Sequence, residues 1–247
     1  MGSTFFQFGE RRPEYDVPVL NERAVRAAAG ILFVPALLTF AQALQNGNFQ
    51  PTRIFVIAFL IDFTIRLFIN PAFAPTLILG QWIVNGQQPE WVGAPQKRFA
   101  WGIGMALAVA MFFLMVIGHV IGPINMLVCG TCLLLLFFET SFGICIGCKI
   151  YNMLPGARAQ LCPGGACEIP VNAPPAIDVR KGAVLAAFAM AMVAVITLLD
   201  RRPVRSMFYA EPKPGASAAE EAARCTPPAF ARAIGHEQTW KRHNNCL

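Results

Sequence analysis

The sequence is poor in charged residues, and this shortage is the first constraint on its class. Of its 247 residues only 14% are charged, whereas 55% are hydrophobic. A soluble globular domain carries roughly a quarter charged residues, and its mean hydropathy would lie well below the value of +0.51 found here. The composition therefore excludes an ordinary soluble domain and predicts an integral membrane protein.

Two further features are missing, a signal-peptide core and a basic surface for nucleic acid. No apolar stretch of the signal-peptide type precedes Ala24, so we expect no cleaved leader and insertion through the later helices. The formal net charge of +6 does not indicate nucleic acid, because the basic residues cluster at the ends of apolar segments. There they set orientation and meet anionic lipid head groups.

Long apolar runs are present instead. A bilayer core of about 30 Å needs ~20 mostly apolar residues per helix. Five runs predict an all-α, polytopic transmembrane helix bundle, at residues 24–44, 53–69, 99–121, 125–148 and 182–199. The turn at Gly122-Pro123 is so short that the third and fourth spans must form an antiparallel hairpin. A shorter stretch, 76–84, predicts an interfacial or re-entrant helix.

The spans divide the chain into parts. We expect an N-terminal segment (1–23), a four-helix membrane domain (24–153), a cysteine-containing loop (154–181), a fifth membrane helix (182–199) and a polar tail (200–247). Lys and Arg near helix ends are more frequent on the side of the N-terminus. The positive-inside rule therefore predicts a cytoplasmic N-terminus, although the basic cluster RRPVR after Asp200 opposes this orientation.

Four sequence blocks carry a family resemblance. They are, in chain order, "NERAVRAAAGI", "FINPAFAP", "APQKRFAWGIG" and "FFETSFGICIGCKIY". Together they resemble the bacterial integral membrane proteins grouped as domain of unknown function 4395, over about residues 20–153. The resemblance implies a compact four-helix domain in the bacterial inner membrane that ends in a C-x-G-C motif. It also implies thioredoxin-like or sulfur-transfer proteins as partners.

The C-x-x-C pair at the end of the fourth span, Cys145 and Cys148, is the first candidate site. At positions i and i+3 of a helix the two residues lie about 5–6 Å apart, which is compatible with a disulfide. Lys149 favours a thiolate, whereas the C-terminal end of a helix acts against one. Three interpretations stay open: a redox-active dithiol, a metal site, or two small apolar packing residues.

A second pair, Cys162 and Cys167, lies in the loop on the same side. If it meets Cys145 and Cys148, the four thiols predict either a zinc or iron–sulfur site or two dithiol pairs that exchange disulfides. A simple disulfide or free thiols in the loop is the other interpretation. A further pair, Cys129 and Cys132, is excluded from this site, because ~24 Å of continuous helix separates Cys129 from Cys145.

Charged side chains inside predicted spans form another group. Asp62 and Arg66 lie four residues apart and share a helix face, so we expect a structural ion pair inside the bundle or a part of a polar pathway. Glu139 is a buried carboxylate that must pair with Arg66 or Arg98 or stay protonated. On a continuous fourth helix it points away from both Cys145 and Cys148.

The leading functional hypothesis is thiol–disulfide redox or sulfur transfer within the lipid bilayer. Cys145 and Cys148 would act as the dithiol, and Cys162 and Cys167 as a possible second pair. One alternative is a non-catalytic accessory subunit, bound to a larger membrane complex through the fifth helix and the tail. Another is a small-molecule transporter that uses the charged residues inside the spans. The sequence identifies no cofactor or metal.

Overall fold

The structure is a computed structural model that describes residues 6–13, 15–46, 48–118, 122–154, 178–200, 219, 222–223, 225–233, 235–243 and 246. It is mostly helical. The helices are α1 (Glu22–Asn46), α2 (Gln50–Thr64), α3 (Pro75–Ile83), α4 (Ala94–Met111), α5 (Pro123–Phe142), α6 (Ile146–Asn152), α7 (Val179–Asp200), α8 (Ala229–Ala233) and α9 (Glu237–His243). Two π-helical turns, Ile65–Ile69 and Phe112–Ile117, extend α2 and α4.

Four helices in the described part of the chain are long and apolar enough to cross a membrane. They are Glu22–Gln45, Ala94–Ile117, Pro123–Phe142 and Val179–Leu199, which confirms the predicted multi-pass helical membrane protein. The predicted second span is not among them. Its α-helical part, α2, has 15 residues, and together with the π-helical turn it carries three buried charged residues, Arg53, Asp62 and Arg66.

Contacts at the helix ends fix how the chain runs. Strands β1 (Val19–Asn21) and β2 (Trp91–Gly93) pair antiparallel, and α1 and α4 begin directly after them. Helix α3 packs on the first turns of α1, where a Cβ on Gly80 would lie 2.5 Å from the Ala24 carbonyl oxygen. The α2 segment therefore returns the chain to the face where α1 begins. We call the face that holds β1, β2, α3 and α6 the proximal face.

The core lies between α1, α2, α4 and α5. Alanines on α1 let neighbouring helices approach closely. The core cluster contains Val25, Ala28, Ala29 and Leu32 of α1, and Phe59, Phe63, Leu77, Trp101 and Leu136 of the other helices. Phe59 and Phe63 stack with ring centroids 4.1 Å apart. Close approach of small residues is the usual basis of helix packing in membranes. Helix α7 contacts α2 and α3, but none of its apolar window is buried.

The fourth membrane helix ends earlier than its hydropathy predicts. The prediction of one helix from 125 to 148 is wrong, because Gly143 has φ +65° and stops α5 at Phe142. A glycine in the left-handed region is a common helix terminator. The N–H of Gly143 donates to the Glu139 carbonyl at 3.1 Å and the N–H of Ile144 to that of Phe138 at 3.0 Å. The chain then starts a new helix, α6.

Candidate functional site

The C-x-x-C pair lies at the start of α6. Cys145 is the N-cap residue of this helix, and its Sγ accepts a hydrogen bond from the backbone N–H of Cys148 at 3.3 Å. The two cysteines form a disulfide with Cα atoms 5.2 Å apart. Cys145 is partly exposed, whereas Cys148 is buried. The sequence predicted that Cys145 ends a helix, whose C-terminus would disfavour a thiolate. Cys145 instead lies at the start of a helix, so this unfavourable effect does not apply.

Close packing against α4 holds α6 in place. A Cβ on Gly147 would lie 2.6 Å from the Cβ of Ala100, so only glycine fits this contact without a shift. Cys148 Sγ lies 3.8 Å from the Gln96 carbonyl oxygen in the first turn of α4. The C-x-G-C spacing therefore serves packing, since the glycine brings the buried Cys148 against the α4 backbone.

A buried lysine lies beside the pair. Lys97 Nζ is 2.7 Å from Glu22 Oε2 and 2.8 Å from Glu139 Oε1, so it joins the proximal ends of α1, α4 and α5. The Lys97 side chain is 1% exposed, and a buried ammonium group of this kind requires such partners. Glu139 thus pairs with Lys97, and the expectation that it pairs with Arg66 or Arg98 is wrong.

Asp62 and Arg66 form a second, fully buried polar group. Arg66 Nε lies 2.6 Å from Asp62 Oδ2. The N–H and hydroxyl of Thr76 donate to Asp62 Oδ1 at 2.9 Å, and Arg66 also contacts the Thr76 hydroxyl. The guanidinium lies 4.8 Å from the Phe63 ring centroid and 5.1 Å from that of Trp101. These contacts connect the end of the α2 segment to the start of α3.

A cavity of about 220 Å³ adjoins the disulfide between α2, α4, α5 and α6. One face of α5 lines it through Cys132, Leu135, Leu136 and Glu139, and α6 contributes Cys145 and Gly147. The prediction that Glu139 points away from the cysteines is wrong, because it assumed a continuous helix. The break at Gly143 brings Glu139 and Cys145 to the same cavity.

The other sequence-predicted thiols divide into two groups. Cys162 and Cys167 lie outside the described residues. Cys129 and Cys132 are free cysteines within α5, and Cys129 Sγ is 3.9 Å from Met111 Sδ. Ten helical residues, or about 15 Å, separate Cys132 from the end of α5. The described residues contain no group of three or more His, Cys, Asp or Glu that could hold a metal ion.

Two features were not predicted from the sequence. One is the Glu22–Lys97–Glu139 group. Its signal in the sequence was Glu139, a carboxylate inside an apolar run that required a cation. The other is a disulfide in the tail between Cys225 and Cys246, whose Cα atoms lie 5.5 Å apart. It joins the α8–α9 region into one unit, and its signal was a pair of cysteines outside every predicted span.

Comparison with known protein families gives a match over the first part of the chain. A family model described as a domain of unknown function (DUF4395) matches residues 20–155. The match covers more than half of the chain, from the start of α1 to just beyond α6, and so contains the C-x-G-C pair, Lys97 and both of its carboxylates. No curated protein and no solved structure matches the chain.

Proposed function

We propose that this chain, which belongs to the DUF4395 family, is a membrane-embedded thiol–disulfide redox protein. The observation that supports this function is the Cys145–Cys148 disulfide at the start of α6. It combines a partly exposed cysteine that lines a cavity, Cys145, with a buried one, Cys148. The metal alternative has less support, since only two thiols meet at this place among the described residues.

The unequal exposure of the two sulfurs gives each a separate role. A thiolate of a partner protein attacks Cys145 Sγ, and Cys148 leaves as a thiolate while a mixed disulfide forms. The second thiol of the same partner then attacks the partner's sulfur in the mixed disulfide, and Cys145 is released as a thiolate. Two electrons pass from the partner dithiol to the pair, and the partner becomes oxidised. The family resemblance makes a thioredoxin-like or sulfur-transfer protein the expected partner.

Single-cysteine variants test these roles in native membranes. In Cys148→Ser the pair cannot form its disulfide, and Cys145 is a free thiol that attacks the disulfide of the oxidised partner. Because Cys148 is absent and cannot displace the partner, we expect a stable, reductant-sensitive adduct on non-reducing gels. In Cys145→Ser the remaining thiol is buried, and we expect little or no adduct. Mass spectrometry of the trapped species identifies the partner and the bonded cysteine.

Cys129 and Cys132 provide the matched control. The Cys129→Ser/Cys132→Ser variant retains the α6 pair and should show the wild-type redox state when free thiols are labelled with a polyethylene-glycol maleimide. If Cys145 and Cys148 remain equally labelled in oxidised and reduced membranes, and neither single variant forms an adduct, the redox function is wrong. Adducts that depend on Cys129 or Cys132 would move the function to those residues.

A second candidate function, an accessory subunit of a larger membrane complex, is favoured by α7. No residue of its apolar window is buried within the chain, and it presents small side chains at Ala186, Ala187 and Ala191 that would let another helix approach. Photo-cross-linkers placed at Ala187 would capture a specific membrane protein if this function holds. Capture of lipid alone would exclude it.

A further inference from the structure

We infer that the cavity beside Cys145 binds a lipid-soluble quinone, which accepts the two electrons of the reduced Cys145–Cys148 pair. This inference rests on the proposed redox function and specifies its electron acceptor. A dithiol that is oxidised repeatedly needs an acceptor within reach. Cys145, which is partly exposed, lines the cavity of about 220 Å³.

The shape of the cavity follows α5. Cys132, Leu135 and Glu139 occupy positions i, i+3 and i+7 of this helix and all line the cavity. Seven residues of helix correspond to a length of about 10 Å. An occupant therefore lies along α5, with one end at Glu139 and Cys145 near the proximal face and the other end deeper in the bundle at Cys132.

The walls select an apolar occupant with a flat ring. Phe59, Phe63 and Trp101 contribute aromatic surfaces, and Ile103 and Leu136 contribute aliphatic ones. Aromatic walls favour offset stacking or edge contacts with a planar ring. A charged thiol peptide would lose its hydration there without enough polar partners. A quinone with an apolar tail meets both requirements, because its ring is planar and its tail is soluble in lipid.

The polar end of the cavity lies where the reaction needs protons. Glu139 and Cys145 both line the cavity, and Lys97 Nζ lies 2.8 Å from Glu139 Oε1. Reduction of a quinone to a quinol consumes two protons at its carbonyl oxygens. Glu139 is placed to receive the protons that the thiols release and to transfer them to the occupant, while Lys97 balances its charge.

The reaction balances in atoms and electrons. Two S–H bonds break, one S–S bond forms, and the two carbonyl oxygens of the quinone each gain a hydrogen. Cys145, as a thiolate, adds to the ring. Cys148 then attacks Cys145 Sγ, and the sulfur–ring bond breaks with its electron pair left on the ring. The pair is oxidised by two electrons, and the quinone leaves as the quinol.

Quinol formation by the purified protein tests the inference. The reduced wild-type chain, freed of reductant and kept anaerobic in detergent, is mixed with decylubiquinone, whose fully substituted ring suppresses irreversible addition to thiols. We expect one quinol for each disulfide formed, followed by quinone absorbance and by maleimide gel shift. The Cys145→Ser/Cys148→Ser variant gives the background rate.

Two neighbouring leucines give a matched pair of variants. Leu135 lines the cavity, and Leu135→Trp fills it, so we expect oxidation by the quinone to slow roughly ten-fold or more. Leu134, with 57% of its surface exposed, does not line the cavity, and Leu134→Trp should keep the wild-type rate. Equal rates in the two variants would overturn the assignment of the cavity.

A binding measurement covers the case in which Leu135→Trp does not fold. In the oxidised protein, decylubiquinone should quench Trp101 fluorescence with a saturable component that Trp101→Phe removes. Quenching that is linear in both proteins overturns the inference. A pair that exchanges with a thiol redox buffer but not with the quinone overturns the inference and leaves the proposed function in place. A pair that never forms a disulfide overturns both.

Discussion

The ammonium group of Lys97 is buried at the point where three helices meet. It contacts Glu22 of α1 and Glu139 of α5 at less than 3 Å. Arg26 lies 3.6 Å from Glu22 and crosses the end of α5, where a Cβ on Gly143 would be 2.5 Å from its guanidinium carbon. The basic and acidic groups thus compensate each other around the turn that leads into the C-x-G-C motif.

Removal of the lysine charge should destabilise the bundle strongly. Lys97→Met keeps most of the apolar volume but leaves Glu22 and Glu139 without their common cation. Breaking a buried ion pair in this way costs about 3–5 kcal/mol of unfolding free energy. Equilibrium unfolding of the purified protein in mixed detergent and SDS micelles measures the loss.

The neighbouring basic residue provides the comparison. Arg98 is exposed and lies over the Phe8 ring at 5.3 Å, so Arg98→Met should cost about 1 kcal/mol or less. Similar losses for Lys97→Met and Arg98→Met would show that the buried network contributes nothing specific. From the sequence, Arg98 rather than Lys97 was the expected partner of Glu139, since burial depends on which carboxylates the fold brings together.

The end of α5 and the start of α6 could not be predicted from hydropathy. Apolar runs predicted the membrane-spanning helices because burial in lipid is averaged over about 20 residues. The end of α5 depends instead on one residue, Gly143, whose surroundings are as apolar as those of a continuing helix. Glycine is frequent within membrane helices, so its presence in "SFGICIGC" did not distinguish a terminator from a packing residue.

The contact between α6 and α4 should control access to the buried sulfur. In Gly147→Ala the added Cβ would lie 2.6 Å from the Ala100 Cβ and 2.7 Å from its Cα, so α6 must shift away from α4. We expect a cost of about 1–3 kcal/mol and faster alkylation of Cys148 in a reduced Cys145→Ser background. The rate of maleimide labelling in detergent measures this opening.

Another glycine on the preceding helix serves as the control. A Cβ on Gly130 of α5 would meet nothing within 4 Å, and Gly130→Ala should leave the alkylation rate of Cys148 unchanged. An unchanged rate in Gly147→Ala as well would mean that Cys148 is shielded by something other than the α4 contact.

At the scale of the whole chain, α7 decides on which side of the membrane the tail disulfide Cys225–Cys246 lies. The chain leaves the proximal face in α1 and returns to it in the α2 segment. It leaves again in α4 and returns in α5, so Cys145 and Cys148 lie at the face where α1 begins. Helix α7 is long enough for one more crossing, which would bring Cys225 and Cys246 to the opposite side. Basic residues near the helix ends of the proximal face include Arg23, Arg26, Lys97, Arg98 and Lys149. The positive-inside rule therefore predicts that this face is cytoplasmic, against the opposing cluster RRPVR after α7.

The tail disulfide supports the same orientation, because structural disulfides persist mainly in oxidising compartments such as the bacterial periplasm. After reduction of intact spheroplasts, a membrane-impermeant maleimide should label Cys225 and Cys246 in a variant that keeps only this pair. A variant with only Cys145 and Cys148 should be labelled after lysis alone. Labelling of both variants from outside would mean that α7 does not cross the membrane, since an odd number of crossings must separate the two pairs.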